Sequence, residues 1–392
     1  MRKQNLLHAI TTLLLVFISI FSISCKGPGS NSGDTSFEQK PVTGIPAMFE
    51  DSLGFYNEHA SVFEENGERY VYYTKNINKY NDSTECIFVR KGIQENGKWS
   101  FGNESVALNT SESGWDSTKV FQADVIKGSF LFNSENYSYL MAYSGTENDT
   151  SRKGAQIGFA VAKSAVGPFI RVSENPIVTW SAYDYSAYGE LVTNGVCEPS
   201  LINYNGQSQI ILFYSLFNPN TSYSCKYILL DLSSDMKNLA SRKGERGNML
   251  SKKGISDMGT DPACIGADFA LSADKSMIVA VRDYYPISAL SPAVAEAVQV
   301  ISAPISILQE TVSATSSSWT VVNDKISALD TAVWEEADML GYDRIYSACV
   351  IGNGYGYVNN INSFSIVFTS CALASSTANY KYTPMIHEYI VE

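Results

Sequence analysis

The chain has 392 residues, and its 40 acidic against 28 basic side chains give a formal net charge of −12. That balance argues against nucleic acid or an anionic membrane face as a partner, since both repel it. Hydrophobic residues at 45% and aromatics at 12%, with 24 tyrosines, suit a large core built from β-strands.

Residues 1–25 read as a secretory leader rather than as part of the fold. Arg2 and Lys3 make a basic start, Leu6 to Ile23 is mostly apolar, and Ser22-Ile23-Ser24-Cys25 ends the run. A cysteine directly after a small residue resembles a bacterial lipoprotein cleavage site, with Cys25 lipidated. Ser22 stands where leucine is usual, so an ordinary leader or an uncleaved anchor remains the alternative. Residues 26–44 begin with the Gly/Ser-rich Lys26-Gly27-Pro28-Gly29-Ser30 and read as a flexible tether. The expected location is the bacterial cell envelope, at the outer membrane or cell surface, held by the lipid alone. No second apolar run is long enough to span a bilayer.

From residue 45 to the end, one unit recurs: a short apolar strand, a polar turn, and a longer β-branched or aromatic strand. Copies begin at His59, Gln122, Glu198, Gly266 and Ile345. Their spacing of roughly 65–80 residues is that of a four-stranded propeller blade with variable loops. A single such sheet cannot bury both of its faces, so it needs copies beside it. The periodicity also admits a β-sandwich with long loops. The stretch Ser291–Gln309 reads as strand, because AVQVISAPISIL parallels IGFAVAKSAVGPF. The closing MIHEYIV alternates like a strand that completes a ring.

Six cysteines remain besides Cys25: Cys86, Cys197, Cys225, Cys264, Cys349 and Cys371. An exported protein could pair them in fifteen ways or keep some as buried thiols. No Cys or His spacing suggests zinc, and no dedicated calcium loop is present. There is no GxSxG, Walker, HExxH or Rossmann pattern. Of the three histidines, His8 lies in the leader, His59 opens the first unit and His387 sits in the closing strand.

In a propeller the innermost strands converge on the axis from blades far apart in sequence. The candidates gathered in this way are His59, Asp124, Glu198 and Asp268, with Asp261 just upstream of the fourth unit. Two aromatic, polar loops, WSAYDYSAYGELVTNG and WEEADMLGYD, offer Trp180, Tyr183 and Trp334 as sugar-stacking surfaces.

The phrase AVAKSAVGPF at Ala160–Phe169, with QADVI around Asp124 and EPSLI from Glu198, resembles the five-bladed β-propeller glycosidases. These are the family 43 type and its β-fructosidase-like relatives. The resemblance implies an all-β, five-bladed propeller over residues 45–392. It also implies a monomer that hydrolyses an arabinose-, xylose- or fructose-containing glycan with paired carboxyls. On the matching positions, Glu198 takes the proton donor's place and Asp124 that of the aspartate tuning it. The base should stand in an Asp-Pro-Ser phrase, yet this chain has His59-Ala60-Ser61. Asp261 and Asp268 are other candidates for that role. The resemblance requires no cofactor, although some of these propellers hold an axial calcium. Two further readings stay open: a catalytically inactive glycan-binding surface lipoprotein, and an envelope protein-interaction scaffold.

Overall fold

The computed structural model describes residues 48, 54–150, 152–173, 175–179, 195–217, 224–239, 246–250, 266–284, 295, 297–309, 318–327, 344–371 and 385–391. All of them fall in one compact unit, Gln39–Glu392. The described residues form five antiparallel meanders. The innermost strands are Glu58–Glu65, Lys119–Phe132, Gly195–Asn203, Ala267–Ser272 and Arg344–Val350. Each pairs with the next strand of its own meander. The first two meanders join into one sheet through a single parallel pair, Glu85 with Lys119.

The second strand of each meander shows why the sheets stand as blades. Its residues are apolar on both faces, as a strand buried between two neighbours must be. Their alternation splits them between two cores. In Gln209–Phe217, Ile210, Leu212, Tyr214 and Leu216 pack toward the second blade. Ile211 and Phe213 pack toward the fourth, where the Phe213 and Phe269 rings stack 4.0 Å apart. In Glu68–Asn78, Tyr70 and Tyr72 face the second blade, whereas Val71 and Tyr73 face the fifth. The remaining cluster joins the fourth blade to the fifth through Val279, Val281, Ile366 and Phe368. Five blades thus share five apolar interfaces, and the ring closes between the fifth blade and the first. Each fully buried aliphatic or aromatic side chain in them contributes about 1.5–3 kcal/mol. The closing strand Met385–Val391 is the third of the fifth blade, and Met48 N–H donates to Ile386 O at 2.8 Å. His387 is buried in this strand against Ser370 Oγ at 2.8 Å, so it is a core residue.

One end of the channel is stoppered by residues 352–358 of the fifth blade. Gly352 and Asn353 pair with Phe63 and Glu64 of the first blade. Gly354 O then accepts from Lys127 N–H of the second blade, and Tyr355 O from Asn203 N–H of the third. Gly356 O accepts from Leu271 N–H of the fourth, beside which Tyr357 continues as a parallel pair. Successive residues therefore visit successive blades. Asn353 Oδ1 holds the turn by accepting from the N–H groups of Tyr355 and Tyr357.

Two sequence expectations need adjustment. Within 291–309, the strand covers Ala297–Pro304, and Ile305–Gln309 turns into a short 3₁₀ segment beyond Pro304. Proline cannot donate to a further ladder bond, which fits the strand ending there. Cys86, Cys197 and Cys349 are buried free thiols, so the disulfide alternative does not apply to them.

Candidate active site

The open end of the channel is built from one three-residue step repeated in all five innermost strands. The steps are His59-Ala60-Ser61, Gln122-Ala123-Asp124, Glu198-Pro199-Ser200, Gly266-Ala267-Asp268 and Ser347-Ala348-Cys349. The first residue of each is left-handed, at φ 52°, 50°, 55°, 62° and 49° in that order. In four of the blades the pairing register slips at the step, which marks a β-bulge. A left-handed residue other than glycine costs about 1–3 kcal/mol and persists only where its surroundings hold it.

Two belts of hydrogen bonds hold it. In the first, the N–H of each left-handed residue donates to a side chain on the second strand of the preceding blade. His59 donates to Thr369 at 3.2 Å, Gln122 to Thr74 at 2.9 Å and Glu198 to Ser144 at 3.2 Å. Gly266 donates to Ser215 at 3.1 Å and Ser347 to Asp283 at 2.7 Å. In the second belt, the third residue of each step reaches the following blade. Asp124 accepts from Leu201 N–H at 2.5 Å, Ser200 from Phe269 N–H at 3.0 Å and Asp268 from Val350 N–H at 2.8 Å. Cys349 meets the Val62 N–H. Ser61 closes the circle by donating to Asp124 Oδ1 at 2.5 Å. The middle residues are alanine or proline, small enough for five strands to converge.

These steps line one cavity at the axis, and His59, Asp124, Glu198 and Asp268 all lie on it. The four candidates from four different blades are therefore brought together. Asp261, Trp180, Tyr183 and Trp334 lie outside the described residues, as do Cys25 and the leader. Gln122 and Ser347 also line the cavity and were not singled out from the sequence. The recurring pattern of a polar residue, alanine or proline, then serine, aspartate or cysteine was the available signal.

The acids differ in environment. Glu198 Oε2 accepts from Gly266 N–H at 2.9 Å, while Oε1 has a long contact of 3.4 Å from Gln122 Nε2. Asp124 is buried and receives Ser61, Val125 and Leu201 as donors. Burial, and after it the Asp268 carboxylate, nevertheless push Asp124 up to about 7. Burial likewise raises Asp268 above the ordinary aspartate range. Burial also pushes the Cys349 thiol up, so it serves as a neutral belt member and not as a nucleophile.

His59 Nδ1 is buried. It lies 3.4 Å from Glu58 Oε1, close enough for charge attraction but out of line for a directed hydrogen bond. A regular strand would turn Glu58 away from the His59 side chain, but the bulge bends the chain at His59. Glu58 does not line the cavity; it pairs with Arg152 and keeps one oxygen near the imidazole. Among the described residues, no group of three or more His, Cys, Asp or Glu side chains is placed to hold a metal ion.

The fold is that of the β-propeller glycoside hydrolases. The α-L-arabinofuranosidase of Podospora anserina, solved in complex with cellotriose, superposes with a TM-score of 0.52 at 9% identity, over 89% of this chain and 94% of that one. The catalytic domain of a Coprinopsis cinerea α-L-arabinofuranosidase does so at 0.51 and 10% identity, over 89% and 94%. An α-L-arabinofuranosidase from Lactobacillus brevis matches at 0.51 and 8%, over 88% and 92%. At these identities the likeness is one of fold. No protein-family model and no curated protein matches the chain.

Proposed function

We propose that the axial cavity accepts a sugar residue of a glycan and hydrolyses its glycosidic bond. Glu198 is the proton donor and His59 the base. The observation that carries this reading is that a carboxyl and an imidazole, from the third and first blades, face one cavity. Glu198 Oε2 is tied to Gly266, which leaves Oε1 to carry a proton to the leaving oxygen as the anomeric C–O bond breaks. A water gives its proton to the His59 imidazole as its oxygen bonds to the anomeric carbon. Both groups return to their starting states by exchange with solvent. An imidazole that activates water, with no carboxylate nucleophile, makes this a single displacement with inversion. Asp124 keeps the family's tuning position, as a buried acid within the same ring.

An arabinose-, xylose- or fructose-containing glycan is the proposed substrate class, and a lipid on Cys25 at the bacterial cell envelope the proposed setting. The test is sugar release from a panel of aryl glycosides and polysaccharides. Wild-type protein is expected to turn over at least one of them, and Glu198→Gln to lose about 10²–10⁴-fold in rate with its melting temperature kept. No turnover on any substrate by folded wild-type protein contradicts the reading.

The imidazole in the base position favours a second reading, a cavity that binds glycan without cleaving it. Calorimetric binding of an oligosaccharide with no released sugar supports that alternative.

A further inference from the structure

Four charged side chains of alternating sign stand in a row that ends beside His59, which lines the cavity. Lys119 Nζ lies 3.1 Å from Glu85 Oε1, with side-chain exposures of only 2% and 4%. Glu85 Oε2 accepts from Arg152 Nε at 2.9 Å. Arg152 Nη2 donates to Glu58 Oε1, and its guanidinium lies 4.7 Å over the Phe121 ring. Glu58 Oε1 in turn faces His59 Nδ1. Tyr346 braces the end of the row from the fifth blade. Its hydroxyl donates to Glu58 Oε2 at 3.0 Å, and its ring meets the imidazole edge-on at 5.8 Å.

Burial works against an ionised Glu58, but Arg152 and then His59 outweigh it and hold the carboxyl well below the usual range. Glu58 is thus a fixed anion beside the buried nitrogen of the imidazole. Removing charges from water costs several kcal/mol each and is offset only by good partners. Here every carboxylate of the row has a cation on at least one side. Other ionisable groups lining the same cavity are Glu198, Asp124, Asp268 and the Cys349 thiol, and the Tyr346 ring lies at the edge of the imidazole.

We propose that Glu58, set by Arg152, is a positioning residue that keeps the His59 proton on Nδ1. The Nε2 lone pair is then presented to the cavity, where the attacking water donates. The nitrogen of a histidine that carries the proton is decided by what its other nitrogen faces. An anion at Nδ1 stabilises a proton there, and it stabilises the imidazolium once Nε2 has taken the water's proton. This role rests on the hydrolytic reading of the cavity, but the tautomer can be measured without turnover.

The experiment is long-range ¹H–¹⁵N correlation on the full chain with labelled histidine. The chain contains three histidines, and His59 is assigned by its absence from His59→Gln. Neutral His59 is expected as the Nδ1–H form in wild-type protein. Glu58→Ala and Glu58→Gln both remove the anion, and both are expected to shift the population toward Nε2–H. Where a substrate is turned over, kcat of Glu58→Ala falls at least about tenfold with KM little changed. A wild-type His59 protonated on Nε2 overturns the proposal, and that measurement needs no variant to fold. Nδ1–H in a protein that hydrolyses nothing leaves Glu58 in its place and removes the hydrolytic reading alone.

Discussion

Asp124 shows how one side chain carries both structure and chemistry. It ties the second blade to the first and third through Ser61 and Leu201, and it lines the cavity as well. In the unfolded chain an aspartate ionises near about 3.9. In the fold, burial and then Asp268 raise Asp124 to about 7. Between those values the native state binds more protons than the unfolded one, so this group's contribution to stability falls as pH rises. Glu58 acts with the opposite sign: its lowered carboxyl adds stability above the ordinary range that is lost on acidification. Replacing Asp268 by Asn leaves the burial of Asp124 in place but removes the neighbouring charge that raises it further. Thermal melts at pH 5 and pH 7.5 are therefore expected to show a smaller loss in Asp268→Asn than in wild-type protein. An equal or larger loss would remove the Asp124–Asp268 interaction from the account. The residue types here were legible, since Asp124 and Asp268 end the repeated three-residue step and Glu198 opens it. Their burial was not, because it depends on the blades packed to either side.

The repeated step explains why one of its five positions is glycine. His59, Gln122, Glu198 and Ser347 adopt nearly the same positive φ with a side chain in place, so backbone conformation alone does not require glycine at 266. The neighbour does: a Cβ on Gly266 would lie 2.7 Å from Asp283 Oδ2 and 2.9 Å from its Cγ. Asp283 cannot simply withdraw, because it accepts the Ser347 N–H in the first belt. Gly266→Ala is expected to cost about 1–3 kcal/mol in denaturant titration. Gly67→Ala, at φ 78° with nothing near the added methyl, should cost less. Equal costs would mean that the strain is conformational and that Asp283 is not pinned. The step itself was written in the sequence, in tripeptides such as HAS, QAD and EPS. Its bulge was not, since a regular strand and a bulged one have the same composition and differ in which backbone N–H meets which neighbour. That difference also hid Glu58, which a straight strand would turn away from His59.

At the scale of the whole molecule, rotational repetition turns residues far apart in sequence into neighbours. Five apolar interfaces close the ring, two polar belts set the height of its innermost strands, and residues 352–358 stopper the far end. The ring was legible because each blade needs the same alternation of apolar residues toward two neighbours, which leaves a period in the chain. The stopper was not, because its hydrogen bonds are made by backbone carbonyls that any residue supplies. From this architecture comes the central claim, that His59 and Glu198 act on one glycosidic bond from the same cavity. The most direct measurement is ¹H NMR of the anomeric proton in the first minutes of cleavage, before mutarotation mixes the products. Water activated by an imidazole predicts that the first sugar released has the inverted configuration. A retained configuration would require a nucleophile on the enzyme and would contradict His59 as the base.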